Sequence, residues 1–121
     1  MEESFAIDLM SSEVEGRRSA VRRMAFWNVI FQDLSGSWMR AKTDNVSSGG
    51  IQMIADIAYP VGTKLFIKMP LVYRGYKKQI EAIAETRYSV ASSAGFKTGV
   101  MFTRIANEDK DFLRAYSEQE I

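Results

Sequence analysis

Residues 76–88, YKKQIEAIAETRY, read two ways. The central KQIEAIAETR has the composition of a helix former, and Ile80, Ile83 and Ala84 carry helical spacing. In an extended chain, alternate side chains share a side, which puts Ile80, Ala82, Ala84, Thr86 and Tyr88 on one face. The strand reading is preferred because the segments around it read as a meander. Upstream, residues 63–69 (TKLFIKM) alternate, with Leu65, Ile67 and Met69 inward, Lys64 and Lys68 outward, and Phe66 between the lysines. Pro70 is expected to end that run, and Arg74-Gly75 marks a reversal. Downstream, Ser92-Ser93-Ala94-Gly95 is a loop, and residues 96–103 (FKTGVMFT) form a strand with Phe96, Thr98, Val100 and Phe102 on one face. Gly99 inside it signals a bulge or the close approach of another backbone.

The earlier part of the chain has the same rhythm. Residues 25–32 (AFWNVIFQ) are rich in aromatic and β-branched types, and Asp33-Leu34-Ser35-Gly36 is a turn signal. Residues 37–44 (SWMRAKTD) form a second strand with Trp38, Arg40 and Lys42 on one face. Residues 45–50 break it, residues 51–55 resume with Ile51, Met53 and Ala55 on one side, and Tyr59-Pro60-Val61-Gly62 turns again. Near Asn107 the period changes. Asn107 is the expected N-cap, Glu108 and Asp109 suit the positive helix end, and Ile105, Phe112, Leu113 and Tyr116 make an apolar stripe. Short strands at regular spacing plus an amphipathic terminal helix predict a small antiparallel β-barrel. Residues 1–15 show no clear period; Phe5, Ile7 and Leu9 alternate, which suits either a short strand or an extension that orders only with a partner.

With 121 residues the chain has the length of one domain, and 46% hydrophobic content is enough for a core. It has no cysteine and no histidine. Disulfides, thiolate metal sites, thiol catalysis and a Ser-His pair are therefore excluded, and the absence of cysteine suits a reducing cytoplasm. No apolar run approaches a membrane span, and the N-terminus lacks the pattern of a secretory signal. Net charge is only +1, but residues 16–106 carry 14 Lys/Arg against 5 Asp/Glu, a balance of +9 between acidic ends. A basic body points to an anionic partner.

Two motifs stand out. Residues 17–23 (RRSAVRR) place four guanidiniums within seven residues, after Gly16, a natural hinge. Arg18 and Arg22, four apart, share a face on a helix and on an extended segment alike. Two planar five-donor forks then meet one target, as phosphates and base edges require. A solvated basic surface is the bland alternative. Downstream, Asn45-x-Ser47-x-x-Gly50 sits between two strands. Asn and Ser supply donors and acceptors close to the backbone, and Gly49 and Gly50 leave room for a flat ligand to approach the main chain. On its own this spacing is also that of a plain turn.

Together, in this order and with two strands between them, the motifs resemble the PilZ domain family, bacterial receptors for cyclic di-GMP. That family carries RxxxR before its first strand and (D/N)xSxxG between its second and third. The first motif falls on Arg18 and Arg22, preceded by Arg17; the second falls on Asn45, Ser47 and Gly50. The resemblance implies a mainly β fold, a six-stranded antiparallel split barrel with a C-terminal α-helix, over residues 16–118. Within it, 16–24 would be the arginine switch segment, 25–104 the barrel and 107–118 the helix, with 1–15 an N-terminal extension. It implies a non-enzymatic receptor in the cytoplasm that needs no cofactor or metal. Arg18 and Arg22 would clasp guanine edges and phosphates, while Asn45, Ser47 and Gly50 line the floor. Arg17 leans toward an intercalated ligand pair, and Arg23, without a counterpart, is expected to face solvent. Binding would reorder the switch segment and regulate a downstream protein in motility, biofilm or exopolysaccharide output. The competing reading is a basic barrel for single-stranded nucleic acid, with Trp27, Trp38, Phe66 and Tyr76 stacking bases. Core packing is expected for most of those rings.

Overall fold

The computed structural model describes residues 20–118. Seven strands and one helix follow in order: β1 (Arg23–Met24), β2 (Asn28–Gln32), β3 (Trp38–Val46), β4 (Gly50–Ala55), β5 (Lys64–Tyr73), β6 (Tyr76–Ser92), β7 (Gly95–Ile105) and α1 (Asn107–Ser117). All pairings are antiparallel. The sheet runs β3-β2-β5-β6-β7-β4, and a further β3–β4 pairing closes it into a six-stranded barrel, with the two-residue β1 added along β3. Closure leaves no free edge in the ring. Among the described residues, no helix is long and apolar enough to cross a membrane.

The ambiguous segment is a strand, and a long one. β6 pairs with β5 from Tyr76 to Glu85 and with β7 from Ala82 to Ser92. Ile80, Ala82, Ala84 and Thr86 are buried while Glu81 and Ile83 are exposed, the period of two expected of a wall with one wet face. Helix propensity differs between residues by only tenths of a kcal/mol. Two flanking ladders and a buried apolar row outweigh it. The β5–β6 hairpin turns on Arg74 and Gly75, both at positive φ (51° and 83°), the backbone a two-residue hairpin needs.

Three expectations on element limits are corrected. Pro70 does not end β5, which runs on to Tyr73. Pro70 lies opposite Gln79 on β6, but the β2 pairing on the other flank stops at Lys68, so the missing N–H falls on an unpaired edge. The first strand does not begin at Ala25. There the Thr43 hydroxyl takes over the ladder, donating to Ala25 O (2.5 Å) and accepting from Trp27 N–H (2.7 Å), and regular pairing starts at Asn28. Asn107 is the first residue of α1 and not its cap; Ala106 occupies the N-cap with no side-chain bond, and Glu108 and Asp109 fill the first turn.

The core is a continuous cluster that includes Val29, Phe31, Ile51, Met53, Leu65, Ile67, Met69 and Ile80. α1 covers one part of it through Leu113 and Tyr116. Tyr116 packs on Trp27 with ring centroids 5.0 Å apart, and Ser117 Oγ donates to Val46 O at 3.2 Å.

Candidate functional site

The end of β3 and the turn after it form one side of the site. β3 carries an extra residue against β4, since Thr43 faces Met53 while Asn45 faces Gln52. A bulge of this kind re-aims the side chains beside it. Asp44, the extra residue, accepts from Gln52 Nε2 at 2.6 Å, and Gln52 Oε1 accepts from the Tyr88 hydroxyl in a short hydrogen bond. β1 pairs with the same end of β3, with Arg23 opposite Val46 and Met24 opposite Asn45. Arg22, just before β1, is thereby delivered to Asn45, and its Nη1 donates to Asn45 Oδ1 at 2.5 Å.

Ser47 organises the turn itself. Its hydroxyl accepts from Gly49 N–H (3.1 Å) and Gly50 N–H (3.2 Å) and donates to Gly50 O (3.2 Å), and Ser47 N–H donates to Gly50 O at 2.9 Å. The side chain is buried and its hydrogen bonds are made within the loop, so its contribution is to shape the turn. Gly50 differs from the reading of the sequence. A Cβ there would stand 2.1 Å from Val100 O, so the space belongs to the β7 backbone and not to a ligand. Gly49 does have open room, with nothing nearer than 3.9 Å to such a Cβ. Its carbonyl accepts from Phe102 N–H at 2.9 Å, which ties the turn to β7.

Across the mouth, β6 and β7 supply residues that sequence reasoning missed: Arg87, Tyr88 and Met101. β6 carries an extra residue between Thr86 and Tyr88. Tyr88 then lies over Gly99, where a Cβ would come within 2.2 Å of the ring. Of the two expectations at Gly99, the bulge falls on the partner strand opposite it, and the close approach is made by a side chain and not by backbone. These groups, with Ala20, Arg22 and the 47–50 turn, enclose a pocket of about 130 Å³. That is short of the roughly 300–1,000 Å³ of a typical small-molecule site. Burial pushes the Tyr88 phenol above its usual pKa; the Arg22 charge opposes that shift and Asp44 adds to it. Arg87 is engaged with Glu85 at 3.2 Å.

The structure brings Arg22, Asn45, Ser47 and Gly50 together. Arg17, Arg18 and the 1–15 segment lie outside the described residues. Arg23 does not face solvent as expected. It is half-buried, its Nη1 donates to Tyr116 O at 3.0 Å, and its guanidinium sits 4.1 Å from the Tyr116 ring centroid. Of the four aromatic residues considered for stacking, Trp27 packs against the core, but Trp38 and Tyr76 are exposed and Phe66 lies half-buried on the outer wall.

A closed six-stranded barrel with an arginine beside an Asn-x-Ser-x-x-Gly turn defines a recognisable class. The PilZ domain model matches residues 16–119, and the chain belongs to the PilZ domain family. Among solved structures it resembles the Bacillus subtilis inhibitor of motility MotI/DgrA, with a TM-score of 0.79, 25% identity, and coverage of 88% of this chain and 52% of that one. The chain therefore spans about half of that protein's length. It also resembles the PilZ domain of CeSA from a cellulose-synthesising bacterium (TM-score 0.56, 16% identity, 82% and 96% covered). A third likeness is to the PilZ domain of Escherichia coli YcgR with c-di-GMP (TM-score 0.55, 17% identity, 87% and 94% covered). No curated protein sequence matches the chain significantly.

Proposed function

We propose that this domain is a non-enzymatic cytoplasmic receptor for cyclic di-GMP that passes ligand binding on to a partner protein. One observation carries the reading most. Arg22 and Asn45, 23 residues apart, meet at 2.5 Å beside a pocket bounded by the Gly49 backbone and the Tyr88 ring. Guanine offers O6 and N7 acceptors to a bidentate guanidinium and amine donors to an amide oxygen, and both complements stand here side by side. In this reading Arg18 and Arg22 clasp one guanine and its phosphates, and Arg17 supports a second, intercalated ligand. Asn45 binds the guanine edge, while Ser47 and Gly50 hold the turn in shape. The likeness to an inhibitor of motility makes motility the favoured output, ahead of biofilm or exopolysaccharide control.

Isothermal titration of the intact chain tests this. Cyclic di-GMP should bind at about micromolar affinity or tighter, with a stoichiometry of one or two, while linear GMP gives no heat. Affinity should depend only weakly on salt, whereas a single-stranded nucleic-acid binder loses affinity steeply as salt rises. Absence of heat with cyclic di-GMP rejects the proposal, and tight, salt-sensitive binding of oligo-dT in its place favours the nucleic-acid reading.

A further inference from the structure

The outer wall of the barrel carries two rows of side chains that take no part in the Arg22–Asn45 site. In the register of β3, β2 and β5, Trp38, Gln32 and Phe66 stand side by side, and Ile83 of β6 continues the row. The next row is Arg40, Ile30 and Lys68. Trp38 is 46% exposed, and Ile30 and Ile83 are each 36% exposed, so the patch is apolar and wet. Trp38 and Phe66 lie with centroids 6.0 Å apart. The Lys68 ammonium sits over both rings, 5.1 Å and 5.8 Å from their centroids. Glu81, its cross-strand neighbour, is the acid nearest in register, but Glu81 accepts from Gln79 Nε2 at 2.7 Å. Among the described residues neither Lys68 nor Arg40 makes an ion pair.

Two partners suit exposed aromatics beside cations: single-stranded nucleic acid and an acidic protein segment. The geometry favours the second. A base stacking on the side where Lys68 stands would have to displace the ammonium from both rings, whereas a carboxylate would pair with it in place. What the patch presents is an ammonium on an aromatic platform, with a guanidinium across Ile30. That arrangement complements a carboxylate flanked by an apolar side chain. Trp and Arg are also among the residue types that dominate binding energy at protein interfaces. We infer that the face of β3, β2 and β5 built from Trp38, Ile30, Phe66, Arg40 and Lys68 docks an acidic, apolar-containing segment of a partner protein. The inference is independent of nucleotide binding.

The test pans the intact chain against a display library of random sixteen-residue peptides, and titrates oligo-dT in parallel. The expected result is enrichment of peptides combining Asp or Glu with aromatic or aliphatic residues. Their binding should fall at least about tenfold in Lys68→Glu and in Trp38→Ala, and about fivefold in Arg40→Glu. Amide shifts on peptide addition should concentrate on β2, β3 and β5. Melting temperatures of the three variants, all at surface positions, show whether each is folded, and affinity is compared only among folded ones. Selected peptides without acids, shifts confined to other strands, affinities unchanged in all folded variants, or oligo-dT shifting Trp38 and Phe66 would each overturn the inference.

Discussion

Arg22 donates to Asn45 at 2.5 Å across 23 residues of sequence, and a two-residue strand makes the contact possible. The pairing of Arg23 with Val46 and Met24 with Asn45 fixes the register of the arginine segment against β3. A slip of one residue would turn Arg22 to the other side and put Arg23 in its place. Both motifs of the proposed site are therefore coupled by backbone geometry even without ligand.

Arg22→Ala removes the only described guanidinium of the proposed clasp. Hydrogen bonds to charged groups contribute about 1.5–3 kcal/mol, so cyclic di-GMP affinity should fall roughly 10- to 100-fold. Asn45→Ala should fall in the same direction by about tenfold. Calorimetry on both variants checks this, and affinity unchanged in both removes the pair from the site.

Ser47→Ala acts on the turn. It deprives Gly49 N–H and Gly50 N–H of their side-chain acceptor in a buried setting. The expected loss is about 1–3 kcal/mol of stability, read as a lower urea midpoint with an unchanged slope. Loss of nucleotide affinity at full stability would instead assign the hydroxyl to the ligand.

Gly99→Ala drives a methyl into the Tyr88 ring, whose nearest atoms would lie at 2.2 Å and 2.3 Å. Overpacking of this kind costs about 1–3 kcal/mol. In a Tyr88→Ala background the clash is gone, so the cost of the glycine change should nearly vanish. A double-mutant cycle measures the coupling. Equal costs in both backgrounds would mean that the two residues do not share this space.

Tyr88 also predicts an alkaline sensitivity. Burial raises its pKa above the ordinary 10.0. The folded chain thus holds the phenolic proton more tightly than the unfolded one. That stability is fully present below the unfolded pKa and is lost as pH rises through the folded pKa. Tyr59 shifts the same way, by burial and then by Asp33 and Asp56, so only part of the effect is due to Tyr88. Urea unfolding from about pH 8 to 11 should show a shallower alkaline decline in Tyr88→Phe than in the native chain. Identical declines would discount Tyr88.

The barrel was legible because alternation survives in each strand: Leu65, Ile67 and Met69 are all buried, as their spacing required. Even residues 76–88, helical by composition, were recoverable from their neighbours. The extra residues themselves were not legible, although Gly99 marks the place on β7 that faces one of them. Extra residues at Asp44 and near Arg87 leave no mark in an alternating pattern, yet they aim Asn45 and Tyr88. For the same reason Arg87, Tyr88 and Met101 were missed, since nothing in a sequence shows that β6 and β7 cross the mouth opposite Asn45. A glycine at position 50 reads as space for a ligand, because a sequence cannot show that the Val100 carbonyl fills it.

Arg23 yields the prediction that separates it from its neighbour. Its Nη1 donates at 3.0 Å to Tyr116 O, a carbonyl in the last turn of α1. Its guanidinium also lies 4.1 Å from the Tyr116 ring centroid, and that ring packs edge-on to Tyr73 at 5.5 Å. Positive charge at this end of α1 is favoured by the helix dipole. Arg23 thus pins the helix to β1 and fixes the register that delivers Arg22. Arg23→Ala should cost about 1–3 kcal/mol of stability, and Arg23→Lys should recover only part of it, because an ammonium keeps the charge but not the flat stacking fork. Under conditions where the variant remains folded, nucleotide affinity should change by less than about threefold, well under 1 kcal/mol. Full stability with abolished binding would place Arg23 in the clasp and leave the helix held by its other contacts, among them Trp27, Leu113 and Ser117.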